Sequence, residues 1–92
     1  MKLPDRLTTS SDVVVRQVGG ETVLLNIVSG TYFGLDPVGA RVWQLIDDGE
    51  CTLIDACDRI GAEYEVPREV LEQDVLALAE KLVEHGLAAV AG

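Results

Sequence analysis

The stretch SGTYFGLDPVGARVW, residues 29–43, changes structural habit twice within one line. Thr31–Tyr32–Phe33 is β-branched and aromatic and reads as strand. Asp36–Pro37 reads as a stop followed by a start. Asp is a favoured N-cap, and Pro suits the first helical position, where the N–H it lacks would have no partner. From there Val38, Val42, Leu45 and Ile46 fall on one helical face, with Trp43 beside them; Trp43, Leu45 and Ile46 are assigned to the core. The line divides a strand region from a helix region and predicts an α+β domain.

Upstream of this boundary two further runs read as strands. DVVVRQV (12–18) leads into Gly19–Gly20, and ETVLLNIV (21–28) leads into Ser29–Gly30 before TYFGL (31–35). Two-residue Gly-Gly and Ser-Gly connections between β-branched runs are hairpin signals, because Gly supplies the positive φ of a tight turn. The expectation is a three-stranded antiparallel meander. Residues 1–11 are polar, with Pro4 and a Thr-Thr-Ser-Ser cluster, and read as a flexible N-terminal arm, leaving 12–90 as one domain.

Downstream, Gly49 ends the first helix, and Thr52 caps a second, with Asp55 three residues on as a capping box. Pro67 opens a third helix that runs to about His85, with Gly86 at the place of a left-handed C-cap. This third helix carries two apolar stripes, Leu71–Val75–Leu78–Leu82 and Leu76–Ala79–Val83. One stripe suffices to dock a helix on a core; two suggest a second contact. LAAV (87–90) reads as a short extended tail.

The chain has 92 residues, 48% of them hydrophobic, and carries 16 acidic against 7 basic residues for a net charge of -9. That is one domain's worth of chain, and its average field repels a phosphate backbone. Strands before three helices can imitate a winged-helix DNA binder, but a recognition helix shows Arg, Lys, Asn or Gln outward. Residues 67–85 present Glu69, Glu72, Asp74, Glu80 and Glu84 against Arg68 and Lys81, so no nucleic-acid partner is expected. No apolar run approaches the roughly 20 residues of a membrane span; no membrane partner is expected, and without a signal peptide the location reads as cytoplasmic.

No catalytic constellation is legible. Cys51 and Cys57 lack the spacing or the His neighbour of a metal site and read as reduced, half-buried thiols. The single His, His85, sits where it complements a helix dipole, and Asp47, Asp48 and Glu50 cluster at a helix end. The glycines of VGGE and SGTYFG match no phosphate-binding loop. Neither enzyme activity, cofactor nor metal is expected, which leaves a binding protein.

The strand at 31–35 then becomes the point of interest. It ends the meander, so it is an edge, yet it contains no charge and no Pro to blunt pairing. Gly34 lets another backbone come close. Adding an extended peptide to such an edge is β-augmentation, with the third helix as the candidate wall. A second copy of the chain using the same edge, giving a homodimer, is the alternative.

The run LLN…SGTYFGLDPVGARVWQLIDDG, followed by TLIDACDRI and YEVPREVLEQDVLALAEKLVEHGL, resembles the PqqD-like family of RiPP precursor-peptide recognition elements. The similarity covers 12–88. Its specific parts are Tyr32–Phe33 before Leu35–Asp36, then Gly39 and Trp43, and Asp74–Val75 ahead of Leu78. Asp36 stands where the family often has Asn, an exchange of one cap for another. The resemblance implies a winged-helix-like domain: a three-stranded antiparallel meander followed by three helices. It implies a non-catalytic adaptor that binds the leader segment of a ribosomally made precursor peptide and presents it to a modifying enzyme. That enzyme is a radical SAM enzyme (radical S-adenosylmethionine chemistry) in pyrroloquinoline quinone synthesis, or a leader protease and cyclase in lasso-peptide pathways. Carried onto this chain, Thr31, Tyr32, Phe33, Gly34 and Leu35 form the pairing edge. Asp74, Val75, Leu78, Lys81 and Leu82 line the helix wall.

Overall fold

The computed structural model describes residues 2–49 and 52–91. Glu50 and Cys51, read from sequence as a loop carboxylate and a thiol, lie outside the described residues. The elements are β1 (Arg6–Thr9), β2 (Val13–Val18), β3 (Glu21–Asn26), β4 (Tyr32–Leu35), α1 (Pro37–Asp47), α2 (Leu53–Glu63), α3 (Arg68–Glu84) and β5 (Ala88–Ala91). Strands β2, β3 and β4 form the antiparallel meander, and three helices follow it, as the sequence predicts.

Gly19 and Gly20 have φ of 59° and 86°, the paired positive values that a tight β2–β3 turn requires. The β3–β4 connection departs from the two-residue hairpin expected at Ser29–Gly30. Strand β3 stops at Asn26, and residues 27–31 form the loop. The cause is the Asn26 side chain. Its Oδ1 accepts from the N–H groups of Val28 and Ser29 at 3.0 and 3.1 Å, offering the backbone a local alternative to the ladder. Its Nδ2 donates to the Gly86 carbonyl at 3.3 Å, tying this loop to the far end of α3.

The helix starts follow their caps. Asp36 Oδ1 accepts from Gly39 N–H at 2.6 Å. Thr52 and Asp55 form the full reciprocal box, with Thr52 Oγ1 accepting from Asp55 N–H and Asp55 Oδ2 accepting from Thr52 N–H. At the end of α3, Gly86 takes φ 72°. Leu87 N–H then reaches the Leu82 carbonyl and Gly86 N–H the Val83 carbonyl, the paired bonds of a Schellman cap.

The N-terminal arm is the main correction. Residues 6–9 are not loose: β1 pairs antiparallel with β5 in a second, two-stranded sheet, with Leu7 opposite Val90. Leu7 is fully buried. The segment before it accepts from the first N–H groups of α2, Leu53 N–H to Asp5 and Ile54 N–H to Leu3. Those donors have no partner within the helix, so the arm supplies what α2 cannot. The expected C-terminal tail is the other half of this sheet, held by the fully buried Leu87.

Trp43, Leu45 and Ile46 lie in the core, at 4% exposure or less. Cys57 is fully buried rather than half-buried, and that burial pushes its thiol pKa up. Among the described residues no helix is long and apolar enough to cross a membrane.

Two outcomes follow from this packing. Leu7→Ala should lower unfolding free energy by about 2–5 kcal/mol in chemical denaturation, whereas a loose arm would show no change. The bonds from Thr52 hold the Asp55 carboxyl below its usual range. Its contribution is therefore present above the ordinary carboxylate pKa and is lost as pH falls through the lowered folded value. Asp55→Asn should lower stability at neutral pH more than at acid pH, and so flatten the acid limb of a stability-against-pH curve.

Candidate functional site

The site is set by the phase of the β3–β4 ladder. Asn26 N–H donates to the Thr31 carbonyl at 2.9 Å, and the register continues Leu25↔Tyr32, Leu24↔Phe33, Val23↔Gly34 and Thr22↔Leu35. Hydrogen-bonded and non-bonded pairs alternate in an antiparallel ladder. Thr31, Phe33 and Leu35 therefore turn their peptide groups toward β3, while Tyr32 and Gly34 turn theirs outward. Among the described residues no strand pairs with that outer side of β4.

Side chains alternate with the same period but on the perpendicular axis. Phe33 and Leu35 share the inner face with the fully buried Leu24, whereas Tyr32 stands on the opposite face at 72% exposure. A Cβ built on Gly34 would meet nothing within 4 Å. This glycine thus fills no tight space within the chain, and leaves room for an approaching backbone.

Beside the free edge runs α3. Its C-terminal end is fastened to the sheet by the Asn26–Gly86 bond and by Phe33, whose ring lies 5.4 Å from that of His85 at an interplanar angle of 49°. Toward its N-terminal half the helix stands off β4, leaving a groove of about 430 Å³. Phe33, Gly34 and Leu35 line one side and Leu71, Asp74, Val75 and Leu78 the other, the latter at the i, i+3, i+4, i+7 spacing of one helical face. Val38, Gly39 and Val42 of α1 close the floor, and Val66 contributes at one end. Gly39 is needed for that floor: a Cβ there would come 3.1 Å from Asp36 Oδ1, 3.3 Å from Leu35 Cδ2 and 3.5 Å from Leu78 Cδ2.

Of the residues expected from sequence, the structure brings Phe33, Gly34, Leu35, Asp74, Val75 and Leu78 into one groove. Thr31 and Tyr32 lie outside its lining, Thr31 engaged with Asn26 and Tyr32 on the outer face of the sheet. Lys81 is exposed and outside the lining, and Leu82 is fully buried against the core with no surface to offer. Leu71, Val38 and Val42 were legible only as apolar helix positions. Val66 and Ala77 carried no sequence signal, because nothing local says that a residue borders a space formed by distant elements. Among the described residues no group of three His, Cys, Asp or Glu is placed to hold a metal. A largely apolar groove beside a strand edge left unpaired among the described residues has the form that accepts an extended chain by strand addition.

Two solved structures of leader-peptide complexes resemble this chain. The solved structure of TbiB1 in complex with the TbiA(beta) leader peptide is 38% identical, with a TM-score of 0.77, over 92% of this chain and 95% of that one. A lasso peptide synthetase B1 complexed with the leader peptide is 32% identical, with a TM-score of 0.80, over 91% and 98%. No curated protein matches in sequence. The family model of coenzyme PQQ synthesis protein D matches residues 21–88, which span β3 to the start of β5, and the chain belongs to this PqqD family.

Proposed function

We propose that this chain is a non-catalytic adaptor that captures the leader segment of a ribosomally synthesised precursor peptide by strand addition and presents it to a modifying enzyme. The observation that carries the reading is the free edge of β4 facing a groove along α3, in a fold whose solved relatives are complexes with leader peptides. Main-chain bonds to Tyr32 and Gly34 give register, and apolar side chains seated against Phe33, Leu35, Val75 and Leu78 give most of the affinity. Each fully buried anchor contributes about 1.5–3 kcal/mol, offset by the ordering of a flexible segment. The likeness to a lasso peptide synthetase B1 favours a leader protease and cyclase as the receiving enzymes over a radical SAM enzyme.

The direct test is titration of the isotope-labelled chain with leader segments of short precursor reading frames encoded beside its gene. Amide shifts should move at 32–35 and along 71–78; shifts that avoid both segments would remove this site assignment. Gly34→Pro deletes an outward N–H that bonds nothing within the chain. It should weaken leader binding at least about tenfold with an unchanged circular dichroism spectrum. Loss of fold instead would mean that the edge bonds internally. Sedimentation at several concentrations separates this reading from the homodimer, in which β4 pairs with a second copy and mass rises with concentration.

A further inference from the structure

The groove does not end at Leu35. A second hollow of about 330 Å³ adjoins it, sharing Gly34, Leu35 and Asp36 and continuing over Gly20, Glu21 and Pro37. A chain on the edge of β4 that runs past Leu35 reaches the residues the two hollows share, and the second hollow opens from there toward the β2–β3 turn.

The charge along this path has one sign. The charged residues lining the first hollow are Asp36 and Asp74, and those lining the second are Glu21 and Asp36. Every other lining residue is apolar, Gly or Pro. All three carboxylates belong to exposed residues. Among the described residues the ion pairs are Arg41 with Glu63 and Arg68 with Asp58 and Glu72. These pairs leave the three groove carboxylates unneutralised. Arg16 lies on the same sheet face as Glu21, diagonally across the β2–β3 ladder, but lines neither hollow. Asp36 gives Oδ1 to the cap of α1; a carboxylate has further acceptor capacity in its second oxygen.

We propose that this groove selects an extended peptide in which the apolar residues seated between β4 and α3 are followed, where the chain passes Leu35, by Lys or Arg side chains. The inference rests on the peptide-binding reading above and adds to it the chemistry of the ligand. An apolar floor supplies affinity, while a rim of one charge sets direction and rejects the wrong sequence. An acidic segment laid along the same path would face three carboxylates that take part in no ion pair among the described residues. The side chains opposite Tyr32 and Gly34 emerge on the outer face of the sheet and those opposite Phe33 and Leu35 on the groove face. The cations are therefore expected on both faces of the segment that passes Asp36.

The test uses peptides selected from a random display library on the intact chain, followed by amide-shift mapping of the bound peptides. The expected result is enrichment of Lys and Arg on one side of an apolar pair, in peptides that shift 32–35 and α3. Their affinity should fall about two- to fivefold for each of Asp74→Asn, Glu21→Gln and Asp36→Asn. The last of these keeps a good N-cap and so keeps α1. The losses should shrink as salt is raised from about 0.05 to 0.5 M, since surface pairs are screened over that range. Selected peptides that map to the groove without basic enrichment, and that bind the three variants equally, would overturn the charge selection and leave the peptide-binding reading standing. Selected peptides that shift neither β4 nor α3 would overturn the peptide-binding reading itself.

Discussion

The phase of one short ladder governs this molecule. Because Asn26 and Thr31 form the hydrogen-bonded pair at the loop, Tyr32 and Gly34 must turn their peptide groups away from β3, and Phe33 and Leu35 must turn their side chains toward the helices. A shift of one residue would reverse both assignments. The apolar pair would stand in solvent, and the outward peptide groups would belong to other residues. The open edge and the groove are thus two consequences of a single register. That register is held at one end by the buried Leu24 and Leu35 and at the other by the Asn26 side chain.

Helix α3 shows how a small domain combines a firm core with an open cleft. Its C-terminal turn is closed by a Schellman cap and fastened to the sheet through Gly86, Leu87 and the His85 ring. Ala79 and Leu82 are fully buried, and Leu71 and Val75 are buried to 1% exposure at the base of the groove, so the helix is held along its length from beneath. The side facing β4 is left free, and Leu78 stays half-buried there. The second sheet, made from the two ends of the chain, seals the opposite side. Loose termini would leave Leu7, Leu87 and the first donors of α2 exposed, at a cost a chain of this length cannot spare.

Much of this was legible in the residues. The caps at Asp36 and Thr52, the Gly19–Gly20 turn, the left-handed Gly86 and the core positions of Trp43, Leu45 and Ile46 are local matters, decided within a few residues. The β1 strand was missed because RLTT has one apolar residue and a polar cluster beside it. Its strand character comes from partners 79 to 85 positions away. The sequence predicts a shorter hairpin at Ser29–Gly30 because Asn26 sits within an apolar run, whereas its side chain rewrites the backbone bonding that follows.

The candidate site divides in the same way. The residues on their own determined that a chargeless strand ends the meander, that a helix begins directly after it, and that another helix has more apolar surface than one contact needs. Turn residues, caps and periodicity are short-range chemistry, so the chain carries them openly. Only the tertiary structure decided which apolar face of α3 looks at β4. It places Leu78 and Val75 in the groove while burying Leu82 elsewhere, and it makes Val66, Gly39 and three separate carboxylates neighbours of one path. A groove belongs to no single element. Its walls are set by how far two packed elements stand apart, and that distance follows from the whole core.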